Sequence, residues 1–117
     1  MFDTNLELVG SPTNMGPERE LIIFRIIQEA LNNCIKHAGA SRLLLKLLYT
    51  DTRLDVEISD NGKGLNNAAD RKDATNGSGL KNIYQRARLI NATCAIDSHR
   101  QEGTTIQLSI PIATTPL

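Results

Sequence analysis

The chain has 117 residues, room for one continuous hydrophobic core but not two, so a single domain over residues 1–117 is expected. Lys plus Arg and Asp plus Glu stand at 13 each, with no Trp, two Phe and two Tyr. No overall field draws such a chain onto nucleic acid or an anionic membrane, and no aromatic platform awaits stacked bases. Apolar runs such as 22–24 and 43–45 fall far short of the roughly 20 residues of a spanning helix, and no signal pattern opens the chain. Cys34 and Cys94 have neither zinc-site nor disulfide-framework spacing and read as free thiols of a reducing compartment.

Residues 2–9 alternate weakly, with Leu6 and Leu8 on one face, and suggest a short edge strand before a polar loop containing Gly10, Pro12 and Gly16. Pro17 suits a first helical position, Glu18 and Glu20 the positive end of the helix dipole, and Lys36 and His37 the negative end before Gly39. Between these signals Ile23, Phe24, Ile27, Ala30, Leu31, Cys34 and Ile35 recur at helical spacing, which predicts an amphipathic helix of about 20 residues. Strands are predicted at 42–49 and 53–59, joined by the turn Thr50-Asp51-Thr52. In the second, Leu54, Val56 and Ile58 alternate with Arg53, Asp55 and Glu57. Residues 65–78 show no apolar period and read as a lid. Leu80, Ile83, Ala87 and Ile90 define a second helix that leaves Lys81, Arg86 and Arg88 outside its apolar stripe. Strands at 93–98 and 104–110 close the domain, separated by a turn at 100–103. This order predicts a two-layer α/β (α+β) sandwich with helices on one face of a mixed sheet.

Four places carry chemistry. On the long helix Glu29, Asn33, Lys36 and His37 align along one polar edge, able to coordinate Mg²⁺ and meet phosphate. Equally, Glu29 has Arg25 one turn away for a surface ion pair, and Lys36 and His37 suit a helix end. In Asp60-Asn61-Gly62-Lys63-Gly64, strand parity aims Asp60 to the same side as Val56 and Ile58. An inward carboxylate needs a donor, such as the exocyclic amine of a purine, whereas an Asp in a turn is ordinarily solvated. Gly62 and Gly64 permit close backbone approach. Gly77-Ser78-Gly79-Leu80 sets backbone N–H groups at a helix start, where phosphate binds, although Ser78 would also serve as a plain N-cap. Thr104 shares a face with Ile106, Leu108 and Ile110, so its hydroxyl looks inward, though a β-branched residue needs no special reason to open a strand.

Taken in order, these segments resemble the catalytic ATP-binding domain of bacterial two-component sensor histidine kinases. Residues 24–38, with the run Gln28-Glu29-Ala30-Leu31-Asn32-Asn33, resemble the N-box; residues 60–65, ending in Leu65, the first glycine box; 77–80 the second; and 103–105 the third. The Gln28–Asn33 run and Gln85-Arg86-Ala87-Arg88 are most similar to the subfamily paired with NarL-type response regulators. The resemblance implies the Bergerat fold of gyrase, Hsp90, histidine kinases and MutL, with ATP and Mg²⁺ as ligands. It implies that Asp60 accepts from the adenine amino group with support from Thr104, Asn33 binds Mg²⁺, and Lys36 approaches the phosphates. His37, Gly62, Gly64, Leu65, Gly77, Ser78, Gly79 and Leu80 complete the nucleotide site, and Glu29 takes the family's acidic position beside the nucleotide as a catalytic candidate. The implied reaction moves the γ-phosphoryl group of ATP to a histidine on a separate dimerisation and phosphotransfer segment of the parent protein, upstream of a response regulator, in the cytoplasm. An inner-membrane anchor in the parent is left open. Two related readings are an anti-sigma-factor type serine kinase and a nucleotide-sensing domain that moves no phosphate.

Overall fold

The computed structural model describes residues 3–37, 41–62, 79–99 and 103–112, of which 34–37, 79–80 and 98–99 are described by their backbone alone. The elements run β1 (Asp3–Val9), α1 (Pro17–His37), β2 (Arg42–Tyr49), β3 (Arg53–Asp60), α2 (Gly79–Leu89), β4 (Thr93–His99) and β5 (Gly103–Pro111). The strands form one five-stranded sheet in the order β1-β2-β3-β5-β4. β1 runs parallel to β2, with α1 as the crossover, and every other pairing is antiparallel. The predicted lid at 65–78 lies outside the described residues.

α1 starts where the sequence stops offering extended structure. The Glu20 amide bonds the Gly16 carbonyl at 3.0 Å, and the Glu20 carboxylate reaches back to the Met15 N–H at 3.1 Å, so an acidic first turn meets unpaired helical donors. The β2–β3 hairpin closes through Thr50, whose amide donates to the Arg53 carbonyl at 2.9 Å while its hydroxyl accepts from the Arg53 amide at 3.1 Å.

One face of the sheet carries both helices. Ile23, Ile26 and Ala30 of α1, together with Ile83 and Ala87 of α2 and the adjoining Ile90, pack against Leu54, Val56, Ile58, Ile106, Leu108 and Ile110. Each fully buried aliphatic side chain in this layer contributes about 1.5–3 kcal/mol. Part of the predicted α1 stripe departs from this pattern. Phe24 is 59% exposed, so the apolar stripe is wider than the cover it meets among the described residues. On β1, Leu6 and Leu8 are 65% and 54% exposed as well.

Two ties fix α1 along β3. The Arg19 guanidinium donates to the Pro111 carbonyl, and Pro111 is the register partner of Arg53. At the other end the chain leaving α1 reaches Ser41, whose N–H donates to Asn61 Oδ1 at 3.0 Å. From Arg19 to Asn33 the helix rises about 21 Å at ~1.5 Å per residue, and β3 spans about 23 Å from Arg53 to Asp60 at ~3.3 Å per residue. Asn33 therefore comes level with Asp60. α2 runs the opposite way, since it leads into β4 at Thr93, which pairs with Ser109 near the Pro111 end.

Gly103 opens β5 with φ +96°, and a Cβ there would collide with the Asp60 carbonyl oxygen. Only glycine lets the two strands meet so closely with that backbone. Gly103→Ala is expected to lower stability by more than about 2 kcal/mol, read as a shifted urea midpoint at unchanged slope.

Candidate functional site

Asp60 ends β3 on the helix-covered face, in line with Leu54, Val56 and Ile58, and is only 7% exposed. It is the single buried charged side chain among the described residues. Its Oδ1 accepts from the Gly62 N–H at 2.7 Å, a short charge-assisted bond that curls the chain around the carboxylate. Thr104 stands opposite as its register partner on β5, with Ile106, Leu108 and Ile110 continuing the same face. The Asp60 carboxylate is thus held by the strand end rather than solvated in a turn.

Sequence reasoning gave no separate role to the neighbouring residue. Asn61 Oδ1 accepts from the N–H groups of Ser41 and Arg42 at 3.0 and 2.8 Å, and its Nδ2 donates to the Ser41 hydroxyl at 3.0 Å. The side chain thereby clips the end of β3 to the segment joining α1 and β2. The available signal was the habit of Asn at a turn of bonding nearby main chain; the partner 20 residues upstream could be known only once β2 and β3 were paired.

On α1 the pairing of Glu29 differs from the surface partner expected. Its Oε1 lies 3.7 Å from Nη1 of Arg86 on α2, rather than against Arg25, because antiparallel packing turns this side of α1 toward α2. Arg86, read from the sequence as lying outside the apolar stripe, is in fact half-buried in the seam between the helices. One turn closer to Asp60, α1 carries Asn33 and α2 carries Asn82, both half-buried. Asn33 Nδ2 and Arg86 Nη1 are buried and have no hydrogen-bond partner among the described residues.

The described residues therefore bring Glu29, Asn33, Asp60, Gly62 and Thr104 to one end of the helix-covered face. Lys36 and His37 fall in the last turn of α1 and Gly79 and Leu80 in the first turn of α2, known from their backbone. Gly64, Leu65, Gly77 and Ser78 lie outside the described residues.

Elsewhere the chemistry is quieter. A shallow depression of about 440 Å³ on the helix-free face is lined by Arg53, Asp55, Glu57 and Gln107 among others. Four of its polar side chains pair with one another, Arg53 Nε with Asp55 Oδ2 at 3.1 Å and Gln107 Nε2 with Glu57 Oε1 at 3.4 Å. Burial pushes the Cys94 thiol up to about 11, so it stays protonated at neutral pH and makes a poor nucleophile. Among the described residues no helix is long and apolar enough to cross a membrane, and no three His, Cys, Asp or Glu side chains gather to hold a metal.

Removing the Asn61 clip should loosen the strand end that carries Asp60. Asn61→Ala is expected to cost about 1–2 kcal/mol, and Asn61→Asp, which keeps the acceptor, should cost less; urea unfolding of the two variants gives the comparison.

Residues 18–114 match the family model described as histidine kinase-, DNA gyrase B-, and HSP90-like ATPase. The chain is 40% identical over 107 residues to the signal transduction histidine-protein kinase/phosphatase DegS of Brevibacillus brevis, covering 91% of this chain and 27% of that protein. It is 36% identical over 117 residues to the oxygen sensor histidine kinase NreB of Staphylococcus carnosus, covering 95% of this chain and 33% of that protein. The chain thus spans roughly a quarter to a third of the length of these relatives. The histidine kinase domain of the Erythrobacter litoralis EL346 blue-light activated histidine kinase shares the fold at a TM-score of 0.77 and 19% identity, over 93% of this chain and 55% of that one. The expected Bergerat sandwich is the fold observed, and with the family model matched over most of the chain, the chain belongs to the histidine kinase-, DNA gyrase B- and HSP90-like ATPases as an ATP-binding domain.

Proposed function

We propose that this domain binds Mg-ATP at the Asp60 end of its helix-covered face and, within a sensor histidine kinase, presents the γ-phosphate to a histidine on a separate dimerisation and phosphotransfer segment. The observation that carries this reading is the buried Asp60 carboxylate at the end of β3, opposite Thr104. A fixed acceptor on a strand end recognises the adenine amino group, which donates to it, and the Thr104 hydroxyl supports the same edge directly or through one water. Gly62, Gly64 and Leu65 would line the base, while Gly77, Ser78, Gly79 and Leu80, at the start of α2, would offer backbone N–H groups to the phosphates.

Asn33 suits a magnesium ligand. Its carboxamide is untied at the buried end, so it can turn its oxygen to a hard cation that keeps several waters and takes its other ligands from phosphate. Bound there, magnesium neutralises charge on the phosphate oxygens. Lys36 and His37, in the last turn of α1, would add donors for the phosphates. Glu29, one turn back along α1 from Asn33, would orient water around the metal or act on the acceptor. In the transfer itself the acceptor nitrogen bonds to the γ-phosphorus as the bond to the bridging oxygen breaks and ADP leaves, so catalysis rests on positioning and charge neutralisation. The relatives named as sensor histidine kinases support a response regulator as the downstream partner, of NarL type on the subfamily run 28–33, and a cytoplasmic setting.

Calorimetry with a non-hydrolysable ATP analogue tests the site. Asp60→Ala should weaken binding about tenfold or more, the scale of a lost hydrogen bond to a charged group, with little change in unfolding. Asn33→Ala should chiefly reduce the gain in affinity that Mg²⁺ confers. Unchanged affinity in the first variant rejects the base contact. With labelled ATP and an added acceptor segment, acid-labile label supports histidine transfer, acid-stable label a serine kinase, and no label a sensing domain.

A further inference from the structure

We propose that Arg86 is a positioning residue for the metal side of the nucleotide site: across the α1–α2 seam its guanidinium holds the Glu29 carboxylate in the orientation from which Glu29 orders the water shell of a cation at Asn33. This rests on the reading that Mg-ATP binds at Asn33 and Asp60.

The geometry separates this role from two others. Glu29 Oε1 and Arg86 Nη1 stand 3.7 Å apart, at 29% and 31% side-chain exposure, close enough for attraction but too far for a hydrogen bond. Arg86 Nη1 is buried and donates no hydrogen bond among the described residues, and the same holds for Asn33 Nδ2 one turn toward the site. Buried polar groups are nearly always satisfied in folded proteins. Two such atoms along one seam, without hydrogen-bond partners among the described residues, mark a polar layer that water around a cation at Asn33 would complete. A direct phosphate contact fits poorly, because Arg86 lies about 10 Å along α2 from Gly79 at ~1.5 Å per residue and beyond Glu29 rather than beside Asn33. A pair serving stability alone fits poorly too. Arg25 offers Glu29 a partner within its own helix at the favoured spacing, yet Arg25 is exposed and the observed pair crosses to α2.

The crossing matters because α2 begins at Gly79, inside the second glycine box. Through one guanidinium, the direction of the Glu29 carboxylate is tied to the position of α2. Groups of this kind, which orient a ligand shell without entering it, carry effects of about 10- to 100-fold on metal affinity.

Nucleotide affinity of this chain, measured by calorimetry with and without Mg²⁺, tests the proposal alongside urea unfolding. Arg86→Met should leave metal-free affinity within about twofold and cut the Mg²⁺ enhancement about tenfold or more. Arg86→Lys, which keeps the charge but not the planar fork, should recover part of it. The exchange Glu29→Arg with Arg86→Glu should restore the unfolding midpoint but not the Mg²⁺ enhancement. An enhancement restored by the exchange shows a purely structural pair and overturns the proposal. Equal losses with and without metal, in both the Met and Lys variants, show a direct nucleotide contact and also overturn it. An unchanged enhancement in Arg86→Met overturns it while leaving the nucleotide site standing. Absence of nucleotide binding by the wild-type chain overturns the site reading and this one together.

Discussion

A carboxylate taken out of water must be repaid with donors, and the architecture of this domain is organised around that requirement at Asp60. Its main chain is held on both flanks. β5 approaches closely enough that only glycine fits at Gly103, and Asn61 ties the next residue to the start of β2. Its Oδ1 receives the Gly62 N–H. A side chain fixed in this way enters a binding event already oriented, so ligand binding need not bear the conformational entropy of ordering it.

The helices set the second half of the site against this fixed point. α1 is pinned near its start to the end of β5 and near its finish, through Ser41, to Asn61. Its buried stripe of Ile23, Ile26 and Ala30 sets which way the Glu29 and Asn33 side chains can turn. Packing energetics and site geometry are therefore one constraint: a rotation of α1 that moved Asn33 would also lift Ile26 out of the core.

Much of this was legible from residue order. Strand parity put Asp60 with Val56 and Ile58, and Thr104 with Ile106, Leu108 and Ile110, as the register of β3 and β5 bears out. The α1 boundaries could be read from Pro17 and His37 because capping chemistry is local. What could not be read depended on contacts distant in sequence. Glu29 had a credible partner in Arg25, and nothing local shows that α2 would return antiparallel to bring up Arg86. Phe24 fits a helical period but sits exposed, since periodicity tells which side of a helix is apolar but not how wide a cover the rest of the chain provides. The clip made by Asn61 was hidden for the same reason. Its residue type announced a turn, while its partners came from another strand.

The β1 edge of the sheet has its own consequence. Among the described residues β1 offers an open hydrogen-bonding edge over Asp3–Val9, with Leu6, Leu8 and Val9 exposed along it. Such a border, blunted only by the charges of Asp3 and Glu7, is a template onto which another extended polypeptide can zip, and crowding this domain at high concentration invites pairing of sheets edge to edge. The Leu8–Val9 end of this border, away from the Asp3 end that pairs beside Ser41 and Arg42, is where engineering for solubility should begin.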